Sequence, residues 1–318
     1  MKRGQSGINC LVAIDKPVGM SSHDVVNRVR RSLGERRVGH AGTLDPAASG
    51  VLVVGVGQGT RLMGLLSCEA KSYEALIAFG AETDTDDAEG EVTRLAAVPR
   101  RLRSAEGAEA IVRDLVGPHD QVPPSFSAIS VNGERAYRRA RSGQTVKIAP
   151  RHIEILGADL LAVESAEAFT WRVALTVSKG TYIRSIARDL GREQGTAAHL
   201  SALRRTASGA VGLGNCLSLD ELQKHGARAL SGGMLDPASL LGLPVRQVGD
   251  AELASVLCGR ALPAGASRAG GAGVLGPASS CERVALVRDA ALVGIWRRSG
   301  HLLRCDVNFP AGIAGVCL

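Results

Sequence analysis

One aspartate lies where an acidic side chain could act as a nucleophile. Asp45 is the only acid in the stretch 39–50, which reads Gly-His-Ala-Gly-Thr-Leu-Asp-Pro-Ala-Ala-Ser-Gly. The apolar residues 51–54 follow directly and predict a buried strand. Catalytic groups concentrate on loops that are fixed to such rigid strands. The carboxylate of Asp45 therefore either caps a turn around Pro46 or performs chemistry.

Arg184 and Tyr73 are two further candidates for a chemical role. Residues 175–191 predict a strand followed by a helix that ends at Gly191, and Arg184 falls in the first turn of that helix. A cation is unfavourable at the positive end of a helix dipole, so a nearby anion would explain Arg184, although chance placement of an exposed arginine is an alternative. Tyr73 begins a predicted strand over 71–80, where an ordinary core tyrosine is the alternative.

Two other motifs fail as ligand sites. The glycine-rich stretch 55–60 has neither the G-x-G-x-x-G nor the G-K-[ST] pattern, so it predicts a strand-to-helix turn with Thr60 as the N-cap. The acidic stretch 83–90 lacks calcium-loop spacing, because its fifth and sixth positions, counted from the first aspartate, are Ala88 and Glu89. The sequence therefore predicts no metal site and no cofactor.

Predicted elements before Asp45 place basic residues beside it. Residues 10–14 predict a strand that ends at a Lys-Pro turn, and Ser21-Ser22 and Gly34 predict the start and end of a helix with one apolar face. Five arginines lie within ten residues, three in this helix and two after it: Arg28, Arg30, Arg31, Arg36 and Arg37. They predict either a phosphate-contacting surface or a solvated helix face.

Composition indicates an ordinary globular protein with a polyanionic partner. The 318 residues are 45% hydrophobic, which is enough for one large domain and a small one. The net charge is +7 and rich in arginine, which binds phosphate bidentately. Only 3% of residues are aromatic, which argues against a base-stacking platform. Seven cysteines without a C-x-x-C pair predict free thiols in a reducing cytosol, and no signal peptide or membrane span is predicted.

The stretch 39–50 resembles the G-H-x-G-x-L-D-P-x-A-x-G signature of the TruB family, the tRNA pseudouridine-55 synthases. Further stretches resemble the motifs of that family in the same order: D-K-P-x-G-x-[ST]-S at 15–22, K-x-Y at 71–73, T-D-T-x-D-x-x-G at 83–90, K-G-T-Y-I-R at 179–184 and A-H-[VL]-x-x-L-R-R-T-x-x-G at 198–209. The resemblance covers residues 8 to about 220.

The resemblance implies a role for each matched residue. Asp45 would be the nucleophile, Arg184 would form an ion pair with it, and Tyr73 would pack on the target base and assist loss of a ring proton. His40 would fill the space that the flipped-out base leaves. The resemblance also implies that substrate binding involves Tyr182, Leu203, Lys16 and Leu44. The resemblance is not used to assign a catalytic role to residues 83–90.

A basic segment over about 125–152 resembles the mobile insertion with which the family clamps RNA. Its candidate contacts to the RNA backbone are Arg138, Arg139 and Arg141. Phe126 replaces the usual tyrosine of the family, so a contact that needs that hydroxyl is not expected here. A solvated basic helix is the alternative interpretation.

Together these features predict an α+β pseudouridine synthase fold with a large, mostly antiparallel sheet over residues 1–243. Residues 244–318 predict a small β-barrel-like domain, because three alternating runs occur at 284–287, 292–296 and 302–307. This region is placed like the PUA-type RNA-binding domain of the family, and a purely structural appendage is the alternative.

The predicted function is isomerisation of uridine 55 in the T arm of tRNA to pseudouridine. The expected enzyme is cytoplasmic, needs no cofactor and flips the target base out of the folded arm. It is expected to be a monomer without an obligate protein partner. Three alternatives stay open. They are a guide-RNA-dependent relative, a non-catalytic RNA chaperone, and a carboxylate hydrolase, for which a second catalytic acid is missing from the Asp45 motif.

Overall fold

The computed structural model describes residues 6–127, 129–131, 133–142, 148–165, 168–264 and 283–317. The chain divides into two compact units: the first comprises Met1–Pro46, Gly50–Ser67 and Gly209–Leu318, and the second comprises Ala47–Ser49 and Cys68–Ser208. No helix in the described ranges is long and apolar enough to cross a membrane.

Runs of consecutive strands are separated by helices. The strands are β1 Cys10–Lys16, β2 Val38–His40, β3 Ala48–Val56, β4 Lys71–Phe79, β5 Ala81–Thr83, β6 Val92–Leu95, β7 Gly117–Gln121, β8 Ser130–Val131, β9 Glu134–Arg135, β10 Arg151–Ser165, β11 Phe169–Val177, β12 Ala198–Ser208, β13 Val211–Gly212, β14 Cys216–Leu217, β15 Val245–Gln247, β16 Leu262–Pro263, β17 Arg283–Arg288, β18 Ala291–Ser299 and β19 Leu302–Ala314. The helices are α1 Ser22–Leu33, α2 Met63–Leu66, α3 Ala105–Arg113, α4 Ala136–Arg141, α5 Ile183–Glu193, α6 Leu219–His225, α7 Pro237–Leu240 and α8 Asp250–Leu257.

In the first unit, β1 pairs antiparallel with β3, and both strands are buried on their two faces. One face packs against α1, where Val25 and Val29 contact a core that includes Val12 and Leu52. The other face joins the core of the C-terminal sheet. Strands covered on both sides have apolar residues at consecutive positions rather than alternating ones. This explains the continuous apolar runs in β1 and β3.

Helix α1 is capped at both ends as the sequence predicts. Ser21 is the N-cap, and its side chain and that of Asp24 form a capping box. Gly34 ends the helix in the left-handed conformation at φ 61°, and its N–H reaches the carbonyls of Arg30 and Arg31. The helix therefore has a fixed start immediately after the Lys-Pro turn.

The C-terminal sheet has the strand order β15-β17-β18-β19-β16. The three predicted alternating runs fall on β17, β18 and β19, and bulges in the pairing of β18 with β19 curl the sheet. Trp296 is fully buried on one face beside α8. On the other face, Ile295 and Phe309 share a core with Leu11 of β1 and Val53 of β3.

The second unit is built around β4. Strand β11 pairs with one edge of β4 and β12 with the other, and β10 and then β7 extend the β11 side. Trp171 of β11 is fully buried, packs on Phe79 and donates a hydrogen bond from its Nε1 to the carbonyl oxygen of Leu102 at 3.0 Å. Among the described strand pairs within each unit, only β1–β14 and β15–β17 are parallel. The predicted α+β fold with a mostly antiparallel sheet is confirmed.

Two local predictions are wrong. Gly191 does not end α5, which continues to Glu193; a side chain at Gly191 would instead collide with Ala198, whose backbone nitrogen would lie 2.6 Å from the added Cβ. Thr60 is not an N-cap, because residues Gly57–Leu62 form a 3-10 helix and the Thr60 hydroxyl donates to the carbonyl of Gly57. At Gly191, close packing rather than helix termination therefore determines the residue type.

Six cysteines, all in the described part of the chain, are free thiols. This agrees with the prediction from their spacing. Cys281 lies outside the described residues.

Candidate active site and RNA-binding residues

The loop of Asp45 is held at the two residues that flank it. On one side, the hydroxyl of Ser22 accepts a hydrogen bond from the Leu44 N–H at 2.8 Å and donates one to the Leu44 carbonyl at 3.0 Å. On the other side, the Gly19 N–H donates to the carbonyl of Pro46 at 2.9 Å. Ser22 and Leu44 are buried, whereas Asp45 is half-buried. The backbone is thus fixed on both sides of Asp45.

Lys16 completes this support from the end of β1. Its side chain is fully buried, and its ammonium group donates to the carbonyls of Pro17 at 2.8 Å, Met20 at 2.6 Å and Pro46 at 3.3 Å. A buried ammonium is stable only where acceptors replace its water shell. Lys16, which we predicted to bind substrate, therefore ties the Lys-Pro turn to the loop that carries Asp45.

His40 lies at the end of the short strand β2, opposite Val54 of β3. It is half-buried, and the next residue, Ala41, donates its N–H to the Val53 carbonyl at 2.9 Å. The His40 side chain is therefore mounted on the same strand pair that leads into the Asp45 loop. Its predicted role in base flipping stays a prediction.

Tyr73 is buried within β4, with 9% of its surface exposed. It lies opposite Arg205 of β12, whose side chain is 1% exposed, and two residues from Lys71, which is also buried. Burial, and then repulsion by Arg205, lowers the pKa of the Lys71 ammonium. Two cationic side chains therefore lie buried in the strands around Tyr73.

Arg184 is 6% exposed and lies in the first turn of α5, as the sequence predicts. Its guanidinium forms an ion pair with Asp87 at 3.2 Å and donates to the carbonyls of Thr85 at 3.0 Å and Phe126 at 3.1 Å. The anionic neighbour that its position required is therefore present in the acidic stretch 83–90. The predicted ion pair of Arg184 with Asp45 joins residues of different units and stays a prediction.

Two more arginines continue the same side of α5 at intervals of four residues. Arg188 forms an ion pair with Asp86 at 2.7 Å, and Arg192 forms one with Glu82 at 2.8 Å. Burial alone would raise the pKa of Glu82, but hydrogen bonds from Arg192 and Arg94 outweigh it and hold that pKa at about 2. Ion pairs with Glu82, Asp86 and Asp87 thus hold α5 in place.

Asp86 has a backbone conformation that is unusual for a residue with a side chain. Its φ is 62°, in the left-handed region, and the residue is 8% exposed. Burial raises the pKa of its carboxyl, and the charges of Arg188 and Arg184 oppose this. The Asp86 carbonyl also accepts from the Leu200 N–H at 3.0 Å, which ties the acidic turn to β12.

Tyr182 is the residue immediately before α5, and Gln121 fixes its backbone. The Gln121 side chain donates to the Tyr182 carbonyl at 3.0 Å and accepts from the Tyr182 N–H at 2.9 Å. Leu203, the predicted uracil-pocket residue, is half-buried in β12 opposite Ala75 of β4. The structure thus places Tyr182 beside Arg184, and Leu203 on the strand next to that of Tyr73.

The predicted RNA clamp contains helix α4. Arg139 is half-buried there, whereas the side chains of Arg138 and Arg141 lie outside the described residues. Phe126, where the family has a tyrosine, supplies its backbone carbonyl to Arg184. A backbone contact does not depend on the side chain, so the replacement leaves this interaction intact.

Sequence reasoning missed Ser22, Gln121, Arg188 and Arg205 as residues that support the site. One signal was available, because Arg184, Arg188 and Arg192 recur at the four-residue spacing of one helix face. Groups of histidine, cysteine, aspartate and glutamate that could hold a metal ion are absent from the described residues. Asp86 and Asp87 of the stretch 83–90 are instead engaged by arginines of the same unit.

Sequence comparison places the chain in a family. The profile described as TruB family pseudouridylate synthase, N-terminal domain, matches residues 30–183. The profile described as tRNA pseudouridylate synthase B C-terminal domain matches residues 184–237. A tRNA pseudouridine synthase B from Mycobacterium bovis is 45% identical over 305 residues, which cover 94% of this chain and 97% of the relative. The chain belongs to the TruB family. It is therefore an isomerase that forms pseudouridine, as predicted.

Other relatives agree with this placement. A tRNA pseudouridine synthase B from Mycobacteroides abscessus is 48% identical over 258 residues, 80% of this chain and 85% of the relative. Among solved structures, a Cbf5-Nop10-Gar1 complex matches with a TM-score of 0.68 at 23% identity, over 96% of this chain and 86% of the matched one. An H/ACA RNP bound to a substrate RNA containing 2′-deoxyuridine matches at 0.67 and 22%, over 95% and 85%. These structures support the fold alone.

Proposed function

We propose that this TruB-family enzyme converts uridine 55 in the T arm of tRNA to pseudouridine, with Asp45 as its nucleophile. The observation that carries the proposal is the Asp45 loop. Its sequence matches the family signature over 39–50, and Ser22, Gly19 and Lys16 fix the backbone on both sides of Asp45. Tight fixation of the backbone that carries a carboxylate is what a nucleophile requires, since productive attack depends on orientation.

The reaction rearranges bonds without net oxidation or reduction. The bond from the base nitrogen N1 to the sugar carbon C1′ breaks, a bond from the base carbon C5 to C1′ forms, the proton on C5 is lost and N1 gains a proton. An aspartate carboxylate can hold the covalent intermediate, either on C6 of the ring or on C1′ after the uracil anion departs. No step requires a cofactor.

The other site residues support this chemistry in the proposed mechanism. Arg184 pairs with Asp45 and keeps its carboxylate ionised, because a neighbouring guanidinium stabilises the charged form. Its own anchors, Asp87 and the carbonyls of Thr85 and Phe126, orient the guanidinium. Tyr73 packs on the base and assists loss of the C5 proton, and Tyr182 packs beside the nucleophile.

Base flipping gives the enzyme access to a uridine within a folded arm. Extruding a base costs about a few kcal/mol, which contacts in the pocket and a wedge in the vacated stack offset. In the proposed mechanism His40 is the wedge, and Leu44 and Leu203 line the uracil pocket. Lys16 acts on substrate binding through the loop that it supports.

The proposal extends to the organisation of the whole chain. Residues 1–243 would form the catalytic region and 244–318 an RNA-binding region, with residues 125–152 as the clamp. The enzyme would act in the cytoplasm as a monomer without an obligate protein partner. The net charge of +7 supports a polyanionic substrate.

The function is tested with the isolated chain and bare tRNA. After chelation and dialysis, the protein is expected to form one pseudouridine per tRNA at position 55, mapped by mass spectrometry after pseudouridine-specific derivatisation. A transcript with cytidine at position 55 is the control and should stay unmodified. Modification only in the presence of an added guide RNA, or at a different position, would contradict the proposal. Activity restored by one divalent ion while the tRNA remains folded would contradict the cofactor-free mechanism.

Replacing Arg138, Arg139 and Arg141 by alanine is expected to weaken tRNA binding. Each lost phosphate contact lowers the slope of log affinity against log salt by about 0.7–0.9, while turnover at saturating tRNA stays near that of the parent. The measurement is a series of binding isotherms at increasing salt. An unchanged slope would mean that these arginines are only solvated.

A further inference from the structure

Helix α5 begins at an aromatic residue rather than at a capping side chain. Its N-cap is Tyr182, whose side chain makes no capping hydrogen bond to the described residues of the helix. Helices α1, α3 and α6 begin instead at Ser21, Ser104 and Ser218, and each hydroxyl accepts from the backbone N–H three residues further on. Serine is preferred at this position because it satisfies an N–H group that has no partner within the helix. The start of α5 therefore depends on contacts from other elements of the second unit.

Gln121, the last residue of β7, makes such a contact. Its Nε2 donates to the Tyr182 carbonyl at 3.0 Å, and its Oε1 accepts from the Tyr182 N–H at 2.9 Å. The backbone of Tyr182 is extended, with φ −103° and ψ 112°, so its N–H and carbonyl point to the same side. A carboxamide carries a donor and an acceptor on one carbon. One side chain thus engages both backbone groups of Tyr182, as a neighbouring strand would.

Gln121 is itself held firmly. The residue is 4% exposed, and its backbone lies opposite Arg151 in the pairing of β7 with β10. A buried amide that lost its partners would carry an uncompensated desolvation cost, so the two bonds to Tyr182 are expected to persist. Through Gln121, the backbone at Tyr182 is tied to the sheet of the second unit as well as to its own helix.

The residue after Gln121 supports the body of α5 in a different way. The carbonyl of Val122 accepts from the hydroxyl of Ser185 at 3.0 Å and from Nη2 of Arg188 at 2.9 Å. These two bonds join the same two segments of chain but end on later residues of the helix. The contact at Tyr182 and the contacts to the helix body can therefore be removed separately by substitution.

We propose that Gln121 is a positioning residue for the isomerisation, and that it acts by fixing the backbone from which the Tyr182 ring projects. This inference rests on the proposed function, in which Tyr182 packs beside the nucleophile. The direction of a side chain follows from the φ and ψ angles of its own residue. A displacement of about 1 Å among groups that must be aligned for reaction can lower a rate about a hundredfold.

Gln121→Met is expected to slow the reaction without weakening tRNA binding. Methionine keeps nearly the length of the side chain but loses both bonds to Tyr182. The single-turnover rate of pseudouridine formation should fall about tenfold to a hundredfold. The dissociation constant for tRNA should stay within about twofold of that of the parent, because phosphate contacts dominate affinity. Pseudouridine is counted over the whole tRNA by mass spectrometry, and a binding isotherm and a thermal melt accompany each variant.

Ser185→Ala is the matched control. Ser185 is fully buried in the first turn of α5, and the substitution removes one bond to the segment that contains Gln121. It should lower the melting temperature by about a few degrees, as Gln121→Met should. Its single-turnover rate should stay within about twofold of that of the parent, because the bonds to Tyr182 remain. An equal loss of rate in both variants would mean that general loosening of α5 is responsible, and the inference would be wrong.

A double-mutant cycle tests whether Gln121 acts through the Tyr182 ring. Tyr182→Ala keeps the backbone groups that Gln121 binds but removes the ring, and it should lower the rate at least about tenfold. Adding Gln121→Met should then lower the rate by no more than about twofold, since residues that act through one another are not additive. Should Gln121→Met fail to fold, Gln121→Glu replaces it in the cycle, because glutamate keeps the acceptor for the Tyr182 N–H and loses the donor.

The outcomes separate this inference from the proposed function. A Gln121→Met rate within about twofold of the parent, a loss confined to tRNA affinity, or full additivity with Tyr182→Ala would each overturn the role of Gln121. Pseudouridine formed at a position other than 55 would contradict the proposed function. A non-additive loss of rate measured at that other position would still support Gln121 as a positioning residue.

Discussion

Asp45→Asn protein is expected to fold and bind tRNA but to form no pseudouridine above background. A carboxamide nearly preserves the volume of the side chain but cannot form the covalent adduct. Binding persists because phosphate contacts dominate affinity for nucleic acid. The backbone clamps of Ser22 and Lys16 act on Leu44 and Pro46, so they survive the substitution. The measurement is pseudouridine formed in a single turnover.

The matched control is Asp114→Asn, which makes the same chemical change at an exposed residue after α3. It should leave the single-turnover rate unchanged. A thermal melt and a tRNA binding isotherm accompany each variant. If folded Asp45→Asn protein reacts within about tenfold of the parent, a difference of about 1.4 kcal/mol in barrier, Asp45 is not the nucleophile and only caps a turn.

Arg184→Ala is expected to lose both activity and stability. It removes the proposed partner of Asp45, and it leaves the buried carboxylate of Asp87 without its ion pair. Breaking a buried pair by removing one partner costs about 3–5 kcal/mol. The pseudouridine rate should fall by several orders of magnitude, and the melting temperature should drop by several degrees. Single-turnover kinetics and thermal melts measure the two effects.

Arg113→Ala is the matched control, because Arg113 forms an exposed i,i+4 pair with Glu109 that contributes at most about 0.5 kcal/mol. It should match the parent in both measurements. Arg184→Lys keeps the charge but loses the planar fork that reaches two carbonyls and Asp87, so it should recover stability only in part. An active and fully stable Arg184→Ala protein would contradict both roles of Arg184.

The sequence predicted the helices and strands whose capping residues or apolar pattern lie within a few neighbouring positions. The capping residues Ser21 and Gly34 determine the ends of α1, and the three alternating runs near the C-terminus match β17, β18 and β19. Gly191 was misread because a glycine that permits close packing has the same appearance in a sequence as one that ends a helix. Only the contact with Ala198 distinguishes the two.

The candidate site residues were predicted from sequence motifs. The residues that hold them in place were not, because they act through contacts between distant positions of the chain. Arg184 and Asp87 are 97 positions apart, and their pairing requires α5 to lie over the acidic turn. The sequence showed a cation in need of an anion and a group of acids without a metal pattern. No local pattern indicated that Arg184 pairs with one of these acids, since long-range packing decides which charged side chains meet.

The core of the first unit joins residues from both ends of the chain, so it can form only late in synthesis. Leu11 and Val53 pack with Ile295 and Phe309. One buried face of β1 and β3 therefore cannot be covered until residues near the C-terminus have been synthesised. At about 5–20 residues per second, roughly 240 residues of synthesis separate Val53 from Ile295, a delay of about 12–50 s. The second unit, largely continuous from Cys68 to Ser208, emerges in between. During that interval the N-terminal strands present an uncovered apolar face on the ribosome, where a chaperone that shields nascent chains would have its target.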